Sequence, residues 1–404
     1  MDFLPSIPMH FITEDREMID YKKVFELIDE RKDEYVELLR ELCDIESPSS
    51  FKAGVDAVGE YLIKIAKERG WRVQIHREEI SGNAVCFTMN PDVEARSVCF
   101  SGHMDTVHPV GSFGYPPTRI EGDAIFGPGA TDCKGGIVAS FMAMTALEDA
   151  GYTARPLKLI MQSDEEVGSS TSEKRTVKFM AEMASDAVAF LNAESFGAKI
   201  DNVVVERKGI IRFQFDITGV AVHSANCFNG ANAVLEAAHK IIELEKWKEE
   251  GGITCNCGVI NGGTTPNTVA EKCTFFADIR YLTAEELEMV NRRVREIADT
   301  VYVEGCRTNL TVKSYRINME KNEKNLELLD KMNDAYEKCG FERLTGSMAR
   351  GGSDAADMTS YGIPTLDSLG VCGGYIHSTK EYAFISSLPE VAKRFAAVAL
   401  YIED

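Results

Sequence analysis

Basic residues are in short supply. Lys plus Arg number 44 against 64 Asp plus Glu, so the 404-residue chain carries a formal net charge of -20. Such a surface repels polyanions and acidic bilayers, which argues against nucleic acid and membrane as partners. No apolar run approaches the ~20 residues that a bilayer crossing needs. The opening stretch, MDFLPSIPMHFITEDREM, lacks both the basic start and the unbroken apolar centre of a secretory signal. CxxC pairs are missing too. The 11 cysteines, an odd number, are scattered from Cys43 to Cys372, and the nearest two are Cys255 and Cys257. That pattern reads as reduced thiols and not a disulfide framework, so the expected compartment is the cytoplasm. Internal repeats and low-complexity tracts are also lacking.

What is present is the composition of a globular protein, 44% hydrophobic and 27% charged, at a length that suggests roughly two domains. Apolar spacing predicts a helix over Tyr21–Asp44, stopped by IESPSS, and another over Val55–Arg69, closed by Gly70. Strand-like runs follow at WRVQI, NAVCFTM and SVCFSG. A helix over Ile137–Leu147, a strand at PLKLIMQS, a helix near Val177–Met183 and a strand at AVAFLNAES come next. Strands alternating with helices predict an α/β layer around a mostly parallel sheet. From Gly209 the rhythm changes to strand, helix, strand, strand, helix, strand, ending at TNLTVKSY. This is the split βαβ order of a ferredoxin-like α+β unit. After Asn318 the α/β rhythm resumes, with a helix over Asn325–Cys339 and the strand-like IPTLDSLG. The expected organisation is a catalytic domain in two parts, 1–209 and 318–404, interrupted by a smaller unit at 210–317.

Chemistry-bearing residues gather where apolar strands end. LKLIMQ runs into Asp164, Glu165 and Glu166, three acids in a row, which are costly wherever water is scarce. VCFSG leads to His103 and Asp105, two apart and so on one face of a strand, where a carboxylate can orient an imidazole for a metal. His108, next to Pro109, reads as a surface turn residue. Asp132 sits between two glycine clusters just before a helix, a position equally suited to a helix cap. Glu194 follows AVAFLN, and His377 follows a Gly-Gly turn. Open parallel sheets bind ligands at the carboxyl ends of their strands. Two histidines and three carboxylates gathered there could hold two divalent ions with one carboxylate shared, and cations would relieve the crowding of the acids.

The segments SGHMDTV, GATDCKGG, DEEVGS, NAES, HSA, PNTV, GGSDAAD and GGYIHS stand in the order found in the dinuclear zinc aminoacylase and carboxypeptidase family, which the chain resembles from about Gly54 to its end. That family includes glutamate carboxypeptidases, acetylornithine deacetylase and succinyl-diaminopimelate desuccinylase. The resemblance implies a catalytic domain interrupted by a lid that mediates dimerisation. It implies two divalent ions, zinc foremost with cobalt or manganese as substitutes. One ion would be held by His103 and Glu194, the other by His377 and Glu166, with Asp132 bridging the two and its peptide bond to Cys133 expected to be cis. Glu165 takes the place of the general base and Asp105 that of the partner of His103. Cys133 stands where the family often has Met, and a packing role is expected of it. His223 resembles a lid histidine that stabilises the oxyanion from the partner subunit. Asn267 and Arg280 resemble substrate-binding residues, Arg280 gripping a carboxylate with its planar fork unless it merely pairs with Asp278. The amides of Gly351 and Gly352 could hold the same carboxylate.

These readings converge on a dinuclear metallohydrolase that cleaves an amide bond beside a free carboxylate and releases a C-terminal amino acid from a small peptide or N-acyl conjugate. Within the resemblance, Glu194 in place of Asp favours carboxypeptidase-like and desuccinylase-like members over tripeptidase-type aminopeptidases, and GIPTLDSLGVCGGYIHSTKEY is nearest to the glutamate carboxypeptidases. The alternative is an N-acyl-amino-acid deacetylase or desuccinylase. A metal-free binding protein is the remote one.

Overall fold

The computed structural model describes residues 19–249 and 252–404. The stretch MDFLPSIPMHFITEDREM lies outside the described residues. A six-stranded sheet forms the centre, in the order Arg72–His76, Ala84–Met89, Leu157–Gln162, Ser97–His103, Ala187–Asn192, Thr365–Leu366. The last four run parallel to one another, and the first two add an antiparallel margin. The parallel core predicted from the sequence is therefore present, within a mixed sheet.

Alternate residues of these strands feed two cores. Val98, Phe100, Leu157 and Leu159 point to one face, packed with Ile137 and Phe141 of the helix Lys134–Asp149 and Phe395 of Ser387–Tyr401. Cys99, Ile160 and Phe190 point to the other, against Val177 and Met180 of the helix Arg175–Met183. With both faces covered, the strands are near-continuous apolar runs, as buried parallel sheets require. Each fully buried phenylalanine contributes on the order of 1.5–3 kcal/mol. The helix predicted over Tyr21–Asp44 is two helices, Tyr21–Glu30 and Lys32–Asp44, parted at Arg31 (φ −100°, ψ 8°). Val24 and Ile28 before the break and Tyr35, Leu38 and Leu42 after it are all buried, so the apolar spacing gives no sign of it. IPTLDSLG yields only the two-residue strand Thr365–Leu366.

A second sheet, antiparallel throughout, has the order Thr254–Gly262, Lys272–Tyr281, Gly209–Thr218, Arg307–Arg316. Helices Ala233–Leu244 and Ala284–Asp299 pack on one face of it around Phe213, Phe215 and Phe275. Along Gly209–Thr218 buried residues alternate with more exposed ones. Among the described residues no helix is long and apolar enough to cross a membrane.

Candidate metal centre

The carboxyl ends of the parallel strands bring the acids and histidines together. His103 closes its strand at 2% exposure. Its Nε2 lies 3.0 Å from Asp132 Oδ1 and 3.5 Å from Glu194 Oε1. Its Nδ1 lies 2.9 Å from the backbone carbonyl of Asp105 and 3.5 Å from that residue's carboxylate, so the carbonyl is the nearer partner. His377 Nε2 lies 3.2 Å from Asp132 Oδ2 and 3.2 Å from Glu166 Oε2. Asp132 thus shows one oxygen to each imidazole. Ligand atoms of His103, Asp132 and Glu166, and of His103, Glu165 and Glu194, fall within 4.8 Å of one another.

Local sequence explains the placement. The helix Lys134–Asp149 begins immediately after Asp132 and Cys133, whose connecting peptide bond is cis. A Cβ on Gly136 would meet the Ala193 carbonyl at 2.1 Å, so only glycine lets this helix seat against the strand end that leads to Glu194. Glu165 and Glu166 lie in a single 3-10 turn after the strand Leu157–Gln162, closed by Gly168 in the left-handed region at φ 68°.

This donor set fits a pair of divalent ions. Nitrogen and oxygen ligands at about 2.0–2.2 Å from one tetrahedral ion stand roughly 3.3–3.6 Å apart, close to the separations across the two imidazole–carboxylate groups. Electrostatics agrees. Burial would raise the Asp132 carboxyl, but hydrogen bonds to His103 and His377 hold it well below the usual range. Burial pushes Glu166 up to about 7, aided by the charge of Asp132 and opposed by the His377 bond. Burial and the same charge push Glu194 well above its ordinary value. Crowded acids of this kind are stabilised in their ionised form by cations.

The model of Peptidase family M20/M25/M40 matches residues 99–401. The chain belongs to that family. It is a hydrolase, a metal-dependent peptidase or amidohydrolase, which displaces the metal-free alternative. Carboxypeptidase G2 from Pseudomonas sp. (strain RS-16) is 26% identical over 373 residues, 91% of this chain and 88% of that protein. Aminopeptidase PepT from Bacillus cereus ATCC 10987 shares the fold with a TM-score of 0.77 at 22% identity, over 95% of this chain and 99% of the other. A Bacillus subtilis protein described as a dinuclear metal binding peptidase of the M20 family superposes with a TM-score of 0.68 at 14% identity, over 92% and 98% of the two chains.

Around the centre of this M20 enzyme, residues singled out from the sequence are braced by others that were not, among them Ser49, Arg207 and Arg316. Asp105 accepts the backbone amides of both Glu165 and Glu166 at 3.1 Å and the Ser49 hydroxyl at 2.6 Å. Arg316, at the end of the second sheet, pairs with the Glu165 carboxylate and also donates to its carbonyl. Its side chain lies against Gly168 and Gly352, in space that a Cβ at either would contest. Arg207, buried, bonds Asp367 at 2.5 Å and the Gly351 carbonyl at 3.1 Å. Asp164 is fully buried and accepts from Ser172 and Thr176. Cys133 lies against backbone, its sulfur 3.4 Å from the Ala193 carbonyl and 3.4 Å from the His103 amide. His108 is not the surface residue its neighbouring proline suggested: it is 6% exposed and bonds Glu381 at 2.7 Å.

The residues expected to meet substrate are more open. His223 is exposed, its Nδ1 accepting from the Ala225 amide at 3.2 Å. The neighbouring Ser224 amide donates to the carbonyl of Asn267, itself exposed. Arg280 does pair with Asp278, at 2.6 Å through Nε, while its Nη1 reaches the Arg350 carbonyl at 3.4 Å. With Lys208, Lys248, Arg350 and Gly351 it lines a cavity of about 710 Å³. Gly352 packs on Arg316 instead.

Proposed function

We propose that this M20 enzyme hydrolyses an amide bond beside a free carboxylate and releases a C-terminal amino acid. The observation that carries this reading is the basic cavity at Arg280. Lys208, Arg280 and Arg350 face one space, and burial together with the two neighbouring arginines pushes the Lys208 amine down, with Glu286 opposing. Arg280 is partly offset by Asp278, and Glu249 also lines the cavity, but Lys208 and Arg350 have no carboxylate within ion-pair distance among the described residues. Such an excess of positive charge favours an anion, and the guanidinium fork suits a carboxylate. The likeness to a carboxypeptidase across nine-tenths of the chain supports the same reading.

In this proposal His103, Asp132 and Glu194 would hold one ion, and His377, Asp132 and Glu166 the other. The ions, zinc with cobalt or manganese as substitutes, would supply polarisation of the scissile carbonyl and a lowered pKa for the attacking water. Glu165 takes the water's proton and passes it to the leaving amine. Asp105 fixes the turn that carries Glu165 and Glu166. Arg280 and the Gly351 amide hold the substrate carboxylate. His223 reaches the site of the partner subunit in a homodimer formed through the unit at 210–317, where it donates to the oxyanion, and Asn267 binds substrate. All 11 cysteines are free, which suits a reducing compartment and a cytoplasmic enzyme.

A hydrolysis panel tests the reading: N-acyl amino acids and dipeptides, each with a free or an amidated C-terminus, one half held fixed while the other varies. Turnover confined to free acids, with rates set by the C-terminal side chain, is expected. Rates set by the acyl half and indifferent to the released amino acid would instead identify a deacylase. Equal turnover of acids and amides would overturn the proposal.

A further inference from the structure

Glu381 is 1% exposed, and none of the roles above uses it. Its Oε1 accepts the amides of Thr131 and Asp132, each at 3.0 Å, and its Oε2 accepts the Gly129 amide at 3.3 Å. The His108 ring bonds Oε2 at 2.7 Å, and the Glu381 carbonyl takes the Gly127 amide at 3.3 Å. A buried carboxylate is costly unless its lone pairs are met, and here backbone donors and an imidazole meet them. Every one of those backbone donors belongs to the loop that carries Asp132.

Topology gives the bonds their meaning. Glu381 follows His377 by four positions, in HSTKE. The next strand, Tyr382–Phe384, pairs antiparallel with Ala124–Phe126, so the His377 turn and the Asp132 loop leave the same end of one short ladder. Glu381 stitches the two together just past that end. The two histidines differ in their other supports. His103 is buried at the end of a fully buried strand and bonded at Nδ1 to the Asp105 carbonyl. His377 sits in a left-handed turn (φ 61°) with 54% of its side chain exposed.

We propose that Glu381, backed by His108, is a positioning residue that holds the Asp132 carboxylate between the two imidazoles, and that the ion on the His377 side depends on it far more than the ion on the His103 side. The proposal rests on the ligand assignment above. Partners behind metal ligands typically contribute about 10–100-fold to metal affinity. A loop free to shift costs most where the opposing ligand is itself loosely held.

Zinc titration of the metal-free full-length protein, in competition with a chromophoric chelator, tests this, with elemental analysis giving the ratio. Wild type should take two ions per chain and His377→Ala one; if His377→Ala still takes two at wild-type affinity, the ligand assignment fails first. Given that control, Glu381→Gln should weaken the second ion by roughly 10–100-fold and leave the first little changed. Glu381→Gln placed on His377→Ala should add almost nothing, since both act on one ion. Unchanged binding, or equal weakening of both ions, would overturn the proposal. Should Glu381→Gln fail to fold by circular dichroism, the decision passes to His108→Phe, which strips the carboxylate of its ring partner: selective weakening of the second ion supports the proposal, and any other pattern refutes it.

Discussion

The two sheets solve burial differently, and the difference separates holding from reaching. Strands Ala84–Met89, Ser97–His103 and Ala187–Asn192 are buried at every position, with helices on both faces. The second sheet has helices on one face, and its other face presents Arg212, Gln214, Asp278 and Arg280. A strand clamped on two sides can fix a ligand atom closely, as a metal demands. A sheet with one free face can offer side chains to something outside its own core. On this reading, damage to the first sheet's loops removes metal or chemistry, and damage to the second removes recognition while metal stays.

The sharpest break in that contrast is at the acidic turn. Glu165→Gln should keep two ions and lower kcat by about 10²–10⁴-fold, because the water loses its proton acceptor. Glu166→Gln should lose metal. Elemental analysis decides, and reversed metal contents would mean the two roles are exchanged. Next comes the second sheet's core. Phe275 is fully buried and stacks on Phe215 at 4.4 Å between centroids. Phe275→Ala should cost roughly 3–5 kcal/mol, read by chemical denaturation, with metal content at wild-type level. Loss of metal together with stability would show that the two sheets do not act separately.

His223→Ala should reduce activity by about 10²–10³-fold, the usual worth of one oxyanion donor. Reassembled in equal amounts with Glu165→Gln, half the dimers are mixed, and each mixed dimer has one intact composite site. Recovered activity should therefore approach about a quarter of wild type. No recovery in the presence of mixed dimers, shown by mass measurement, would place His223 within its own chain's site or outside catalysis. The smallest effect belongs to Arg280. Arg280→Ala should weaken free-acid substrates by roughly 1.5–3 kcal/mol relative to their amides, the worth of a charge-assisted bond. Parallel losses for acid and amide would remove Arg280 from carboxylate recognition.

The cluster of acids and histidines was legible as a cluster because each member ends an apolar strand or sits among glycines, both local signals. His103, Asp132, Glu194 and the 164–166 acids needed only that rule to be grouped. The residues that brace them were not legible. Glu381 touches His108 and Gly129 across more than 250 positions, and nothing local to a Lys-Glu-Tyr triplet announces such a contact. His108 was misread because a proline neighbour signals a turn but says nothing of what packs over it. Arg316 lies one position past the strand-like TNLTVKSY and was not singled out, and its pairing with Glu165 depends on how the second sheet meets the first. A clue was present all the same: Gly168 and Gly352, far apart in sequence, both leave room for that arginine. The break at Arg31 escaped because burial continues on both sides of it. The alternation of Gly209–Thr218 was readable for the opposite reason, since a half-covered sheet writes its period into the chain.

One carboxylate ties the two neighbouring glutamates to a common anchor. Asp105 receives the amides of both Glu165 and Glu166, so a shift of that side chain displaces the proposed proton acceptor and the proposed metal ligand as one rigid hook. The two functions are inherited together. An engineer who wishes to reposition Glu165 for a bulkier substrate cannot do so through Asp105 without also moving Glu166. Changes there should be strongly non-additive with substitutions at either glutamate, whereas the side-chain end of Glu165, beyond the shared anchor, is where reach can be adjusted alone.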